Sequence, residues 1–478
     1  MDVVAAETLP ALWSLIPFIT LLGLIALAPL WFGDWWARHY PKVAFTLAAL
    51  ILGYYFLALG KGHSVGHAAV EYFSFISLIG SLYVVSGGIV LKVRGEATPL
   101  ANTIFLGVGA VLANLVGTTG ASMLLIRPWL RMNKYRVTQH HVVFFIFVVS
   151  NVGGCLTPIG DPPLYIGYLL GIPFWWVGEH LWPIWITGVG VLLAMFYLVD
   201  RRNYLRAPRE VRTEQAEGPD EWQCQGALNF FWLAVILGAV FVKEPPFLRE
   251  TLMLGAACGS YFTTPKRLHQ ANAFNWHPVQ EVAILFVGIF ATMIPALELL
   301  EANARAMGTP TPGLFFWASG GLSSVLDNAP TYLCFLKTTF GAFIDPDTIR
   351  QVEHLVTTHG ADAGTYIHGA HTAEIRNTWD ALNKYHAGAL AAGKINTDQI
   401  EVAYLLGNTS LNHLVLAISA GAVFFGANTY IGNGPNFMVK SIAEHAGVKT
   451  PTFLGYIGRF TLPYMLPMLA LVWWLFFR

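Results

Sequence analysis

The stretch "TPIGDPP", Thr157–Pro163, interrupts one of the most apolar parts of the chain, and "TYIGNGP", Thr429–Pro435, repeats the interruption about 272 residues later. Thr157, Ile159, Gly160, Asp161 and Pro163 correspond in order to Thr429, Ile431, Gly432, Asn433 and Pro435. Glycine weakens a helix through backbone entropy, proline through its missing donor, and a short polar side chain by competing for backbone hydrogen bonds. Two matched interruptions inside hydrophobic runs therefore predict two helices broken in mid-course. Bare N–H and C=O groups in hydrocarbon are costly, so such breaks survive only where they line a cavity or pack against protein.

The surrounding runs read as membrane spans. Of 478 residues, 55% are hydrophobic and only 12% charged, and apolar runs recur from end to end. Runs long enough for a hydrocarbon core of about 30 Å make the chain polytopic and α-helical, and their continuity excludes an alternating β-barrel pattern. The first ten residues carry Asp2 and Glu7 but no Lys or Arg, unlike a cleaved signal peptide, so the first run is expected to be a retained span. Cys155, Cys224, Cys258 and Cys334 follow no ligand spacing and read as small hydrophobes. Nothing suggests nucleic acid as a partner; the bilayer is the expected surroundings, as a multi-pass protein of the cell (inner) membrane.

Plain spans are expected at 11–33, 41–60, 68–91, 178–199, 226–242, 248–263, 278–300 and 454–477. The short loops holding Arg38 and Lys42, Lys92 and Arg94, Arg131, Lys134 and Arg136, Arg201, Arg202, Arg206, Arg209 and Arg212, and Lys266 and Arg267 should be cytoplasmic by the positive-inside rule. The N-terminus is then outside.

Segment 98–131 has basic residues at both flanks, so both ends are expected on the cytoplasmic side. It reads as a re-entrant helical hairpin with its tip in "GTTGAS", Gly117–Ser122, and a returning arm from Ala121 to Arg131. A second hairpin is expected over Gly313–Phe343, turning at "LDNAP" with Asp327, Asn328 and Pro330. One broken helix and four plain spans separate the two, so the second enters from the opposite face, and the halves form an inverted repeat. Paired interruptions of this kind point to the substrate site of a secondary transporter. Residues 344–403 are a polar insertion in the second half, expected outside the cytoplasm; its His354, His359, His368, His371 and His386 show no metal-ligand spacing. The resulting division is 1–97 and 178–311 as scaffold spans, 98–177, 312–343 and 404–453 as transport segments, 344–403 as insertion, and 454–478 as a final span.

The motifs "SNVGG…TPIGDPP", "SSVLDNAPTY" and "EVAILFVGIFATMIPALELL" resemble the ion transporter superfamily, nearest to NhaD-type sodium/proton antiporters and their citrate-transporter-like relatives. The resemblance covers about residues 70–477 apart from the insertion. It implies a homodimer in which a domain of hairpins and broken helices moves against a scaffold in elevator fashion. The anion symporters of that superfamily carry Ser-Asn-Thr at both hairpin tips. This chain instead has "GTTGAS" and "LDNAPT", a departure that weighs against carboxylate recognition.

Asp161 and Asp327 are the sharpest functional candidates, because an acid at mid-membrane is costly unless paired, solvated or protonated. Sodium takes hard oxygen ligands, and the expected donors are Thr118, Thr119, Ser122, Asn151, Thr157, Gly160 through its carbonyl, Ser324, Asn328, Asn428, Thr429 and Asn433. Among these Asp161, Asp327, Thr157 and Thr429 are the expected Na⁺ contacts. A proton and Na⁺ competing for one buried carboxylate give antiport. The transported ions would be Na⁺ and H⁺, with no resident cofactor. Simpler roles are helix capping for Asp161, a structural place at the hairpin tip for Asp327, support of broken backbone for Asn151 and Asn428, interfacial solvation for Glu281 and Glu298, snorkelling for Lys337, and an interfacial belt for Trp175, Trp176, Trp182 and Trp185. A cation-coupled symporter of small carboxylate anions is the alternative. An enzyme is not expected, since no nucleophile–base spacing is present, nor is a channel.

Overall fold

A computed structural model describes residues 9–94, 97–206, 221–242, 244–308, 310–368 and 371–478. Asp2, Glu7, Arg209 and Arg212 lie outside the described residues. Among those described, nine helices are long and apolar enough to cross a membrane, so the chain is a polytopic helical membrane protein. It is helical as the sequence predicts, apart from one short ladder that the sequence did not suggest: β1 (Val90–Arg94) pairs antiparallel with β2 (Glu221–Gln225), Val90 opposite Gln225.

In chain order the helices are α1 (Leu15–Trp31), α2 (Gly33–Leu59), α3 (Gly62–Gly87), α4 (Pro99–Met132), α5 (Gln139–Val148), α6 (Pro162–Leu169), α7 (Phe174–Arg206), α8 (Leu228–Ala239), α9 (Leu248–Thr263), α10 (Lys266–Ala271), α11 (His277–Asn303), α12 (Pro312–Ser323), α13 (Asn328–Phe343), α14 (Pro346–His359), α15 (Thr372–Ala391), α16 (Thr397–Gly407), α17 (Thr409–Phe425), α18 (Gly434–His445) and α19 (Phe453–Phe476). The expected spans 226–242 and 248–263 are revised: α8 has 12 residues and α9 has 16. At 1.5 Å per residue they reach only about 18 and 24 Å.

α4 is two helices folded on each other. Thr98 caps its start by accepting from the Ala101 N–H, with Pro99 in the first turn. At Gly117 φ is 77° and ψ 156°, a conformation that glycine adopts without a Cβ penalty. Asn102 Nδ2 then meets Asn133 Oδ1 at 2.8 Å, the Phe105 and Trp129 rings stack at 5.3 Å, and Gly109 faces Leu125. These pairs lie symmetrically about residue 117, so the chain reverses there. The turn is sharper than the sequence suggested, because Thr118–Ser122 already belong to the returning arm. α12 and α13 double back likewise, with Phe315 edge-on to Phe335 at 5.7 Å. Thr311 caps α12, and Asp327 caps α13 by accepting from the Ala329 N–H at 3.1 Å.

α5 and α6 form one interrupted helix, and α17 and α18 the other. The core sits where they meet the hairpins: α5 is buried from His140 to Val148, and α17 packs along α12. At the Arg/Lys-rich end, the Arg136 guanidinium binds both oxygens of buried Asp200 and the Ala97 carbonyl, tying the end of the first hairpin to α7.

At the opposite end α14–α16 pack on one another, and α16 meets α3 at His67 and α13 at Lys337. Lys337 does not snorkel to water, as its position had suggested. It pairs with Asp398 at 3.0 Å, Glu401 at 3.6 Å and Glu301 at 3.7 Å. Glu298 pairs with Lys61 at 2.9 Å and accepts from Ser64, so it too is bound rather than merely solvated, whereas Glu281 lies 3.7 Å from His277. The tryptophan group is only partly a belt: Trp175 and Trp182 are exposed, Trp176 is buried, and Trp185 donates to the Gly153 carbonyl. Cys155 and Cys334 are buried, but Cys224 and Cys258 are exposed.

Candidate functional site

Glycine pairs let each break close on itself. A Cβ on Gly160 would lie 2.0 Å from the Gly154 carbonyl oxygen, and one on Gly432 2.6 Å from that of Gly426. The threonines do matching work. Thr157 Oγ1 donates to the Asn114 carbonyl at 2.6 Å and accepts from the Gly160 N–H at 3.1 Å; Thr429 Oγ1 donates to the Ser324 carbonyl at 2.6 Å and accepts from the Gly432 N–H at 3.1 Å. Each threonine thus satisfies orphaned backbone on a hairpin and on its own break. The Thr118 N–H completes the first junction by donating to the Gly160 carbonyl at 2.8 Å.

Asp161 and Asn433 occupy the start of α6 and of α18, each followed within two residues by proline. Asp161 makes no side-chain cap to its own helix. Its carboxylate accepts instead from Thr118 Oγ1 at 2.7 Å, Asn433 Nδ2 at 3.1 Å and Asn328 Nδ2 at 2.6 Å. Those donors come from the first hairpin, the second break and the tip of the second hairpin, so one carboxylate gathers all four interrupted elements. Asp161 is 1% exposed, and among the described residues no Lys or Arg pairs with it. The N-terminal ends of two half-helices face this group, and their partial positive charge favours an anion there.

Asn151 ties the two breaks together. Its Oδ1 accepts from Asn433 Nδ2 at 3.1 Å, and its Nδ2 donates to Asn436 Oδ1 at 2.7 Å and the Ile146 carbonyl at 2.9 Å. Ser122 and Ser150 hydroxyls lie 2.8 Å apart behind it. Asn428 Nδ2 donates to Ser324 Oγ at 2.9 Å. The Oδ1 atoms of Asn328 and Asn428 are buried without a hydrogen-bond partner. Thr119 lines a narrow crevice beside Asp161, bounded by Leu78, Leu82 and Tyr165, whose volume of about 20 Å³ holds roughly one water.

The structure therefore brings Asp161, Thr118, Asn151, Asn328 and Asn433 into one network. Thr157, Gly160, Ser324, Asn428 and Thr429 lie at its two junctions, with Thr119 and Ser122 alongside. Asp327 differs from expectation: its side chain is turned to the α13 backbone, and the neighbouring Asn328 is what reaches Asp161. Two supports were missed from sequence. Asn114 donates to the Ala110 and Gly153 carbonyls and accepts from Leu156 N–H; Asn436 donates to the Gly426 and Thr429 carbonyls. The signal was present, since each is an asparagine inside an apolar run beside a break.

Among the described residues, His140, His141 and Asp200 are the one group of side chains spaced to hold a metal ion. Arg136 already occupies both Asp200 oxygens and repels a second cation, so that cluster is an anchor.

Residues 6–477 match the family described as "Putative citrate transport", and the chain belongs to it. It is 28% identical over 258 residues to a 46 kDa membrane protein of Mycobacterium leprae, covering 50% of this chain but only 58% of that protein. An "Uncharacterized transporter" of Mycobacterium tuberculosis, Rv2685, is 24% identical over 322 residues, 60% of this chain and 73% of its own length. The inner membrane protein YbiR of Escherichia coli is 22% identical over 285 residues, 56% and 72% of the two chains. Family and relatives point to membrane transport rather than enzymatic catalysis.

Proposed function

We propose that this member of the citrate-transport family is a secondary active transporter of the inner membrane that exchanges Na⁺ for H⁺ at Asp161. The observation that carries this reading is a buried carboxylate held by three neutral donors with no cationic side chain beside it. An uncompensated buried charge is strongly unfavourable. A proton or an inorganic cation relieves it, and one carboxylate cannot hold both together. The open Oδ1 atoms of Asn328 and Asn428 add neutral oxygen ligands of the kind a hard cation takes.

The matched hairpin-and-break chemistry of the two halves supports an inverted repeat whose hairpins and breaks move as one body against the scaffold, by alternating access in a homodimer, with the N-terminus outside. Asp327 serves this reading as the cap that orients Asn328. The alternative is cation-coupled uptake of a small carboxylate, favoured by the family description and by the two helix N-termini. Against it, Asp161 already occupies the position that an anion would fill.

The test is a proteoliposome assay in which a sodium gradient is imposed and lumenal pH followed, with and without citrate, succinate or arsenite. Sodium alone should move protons, and Asp161→Asn should abolish the signal. Strict dependence on an added anion would transfer the assignment to symport.

A further inference from the structure

A second, larger cavity of about 600 Å³ opens at the end away from the Arg/Lys-rich loops. Its walls come from α3 at Val70 and Ser74, from α6 at Tyr168 and Leu169, and from the insertion at Tyr385 and Gln399. The crevice beside Asp161 is walled by the same two helices one turn further in, at Leu78 and Leu82 of α3 and Tyr165 of α6. Val70, Ser74, Leu78 and Leu82 are spaced four apart and share one face of α3. The cavity and the crevice are therefore successive stations along one seam, because α3 packs directly on α6.

What separates them is a pair of rings. Tyr165 and Tyr168 stack at 6.1 Å; Tyr168 faces the large cavity and is fixed by its hydroxyl donating to the Val240 carbonyl at 2.8 Å. Tyr165 is 1% exposed, borders the crevice, and its hydroxyl has no hydrogen-bond partner. A buried phenol without a partner forgoes the hydrogen bond that it would make to water. It is the group along the seam whose displacement costs no hydrogen bond and whose hydroxyl could find one in water.

We infer that the α3–α6 seam is the entry route to Asp161 from this end, that the large cavity is its vestibule, and that the Tyr165 ring is the gate between them. The inference rests on the reading of Asp161 as the transport site. It also gives the insertion a role: Tyr385 and Gln399 complete the vestibule wall, so ions reach the seam beneath it. The vestibule lining mixes the Arg249–Glu250 ion pair, closed at 2.7 Å and joined to Ser74, with Lys384 and Glu179. Such a lining selects no sign of charge. Selection falls to the crevice, whose room for one water admits a small cation shorn of most of its hydration shell.

The experiment is cysteine labelling of the full chain with a small cationic methanethiosulfonate, in a background where the exposed Cys224 and Cys258 are replaced. Val70→Cys should label rapidly from the vestibule side whether or not Tyr165 is present. Leu78→Cys should label slowly with Tyr165 intact and, because the neck then stands open, about tenfold or more faster with Tyr165→Ala. Equal rates for Leu78→Cys in both backgrounds, with the buried native Cys334 unlabelled in each as proof of folding, overturn the gate. Labelling of Leu78→Cys from the Arg/Lys-rich side alone overturns the route. Sodium-driven proton movement is read separately, so antiport can survive the loss of this route, and labelling can be gated in a protein that carries no Na⁺.

Discussion

Replacing Gly160 with alanine strikes the point where the first break closes. The added methyl would lie 2.0 Å from the Gly154 oxygen, 2.8 Å from the Gly154 carbonyl carbon and 3.1 Å from Asn114 Oδ1. The two nearest atoms are backbone, so no flexible side chain can swing clear, and the strands of the break must part by about an ångström. Overpacking of this sort costs about 1–3 kcal/mol. Parting also stretches the bond from the Thr118 N–H to the Gly160 carbonyl, now 2.8 Å, and that from the Leu156 N–H to Asn114 Oδ1, also 2.8 Å, each worth about 1 kcal/mol. The expected loss is about 3–5 kcal/mol. Because the Gly160 carbonyl positions Thr118, which holds Asp161, sodium-driven proton movement should fall with stability. Gly434→Ala is the control: it lies in the second break, but a Cβ there meets nothing within 4 Å. Thermal unfolding of purified protein, followed by tryptophan fluorescence, separates the two. Equal midpoints for Gly160→Ala and Gly434→Ala would refute the account of the closed break.

Two further outcomes follow from charged groups away from the site. Burial pushes Glu401 up to about 7 against the opposing pull of Lys337, with Glu301 and Asp398 also facing it; burial also acts upward on Asp398, but Lys337 and His67 outweigh it and hold that carboxyl at about 2. Between its ordinary 4.5 and about 7, Glu401 keeps in the folded protein a proton that the unfolded chain releases, so stability falls as pH rises through that window and levels above it. Asp398 acts oppositely, its contribution being present above its ordinary 3.8 and lost as pH falls towards 2. Unfolding midpoints at several pH values should decline across the Glu401 window in the native chain and decline less in Glu401→Gln; identical slopes would count against the buried network. At the Arg/Lys-rich end, Arg136→Leu should destabilise by about 3 kcal/mol by taking the guanidinium from the buried Asp200 carboxylate and leaving it Asn102, His140 and His141 alone. Adding Asp200→Asn should restore part of that loss in the same melting assay, whereas a packing role for Arg136 alone predicts no rescue.

The two breaks were legible because glycine, proline and a short polar residue together leave a helix no easy way through, and because the order of residues recurs. That an aspartate would stand among the apolar residues of the breaks and tips was legible too, since a carboxylate there is conspicuous. Its partners were not. Which of Asp161 and Asp327 would turn inward depends on how the second hairpin closes, and nothing in "LDNAP" says that Asn328 points to Asp161 while Asp327 turns back to cap α13. Composition likewise placed Lys337 near a boundary, but its acids Asp398 and Glu401 arrive from a segment some 60 residues on, a pairing set by the folding of the insertion. The two short helices α8 and α9 read as full spans because apolar length was counted without the turns that end them.

The two halves are alike in backbone and unlike in charge. Thr157 and Thr429, Gly160 and Gly432, and the prolines after them do the same work on both sides, yet the matched seats hold Asp161 and Asn433. An aspartate in both seats would set two carboxylates at the 3.1 Å separation now spanned by the Asn433 to Asp161 bond, and like charges that close resist joint ionisation. With asparagine in the second seat the repulsion becomes a donated hydrogen bond, and the same amide reaches Asn151 and the Ser150 carbonyl. One seat therefore holds the charge, and the other holds it in place. On the proposed exchange, whatever neutralises Asp161 changes how strongly Asn433, Asn328 and Thr118 are bound to it, and these three belong to the second break, the second hairpin and the first hairpin. Occupancy of a single carboxylate is thereby transmitted to every interrupted element at once, which is the coupling that alternating access needs.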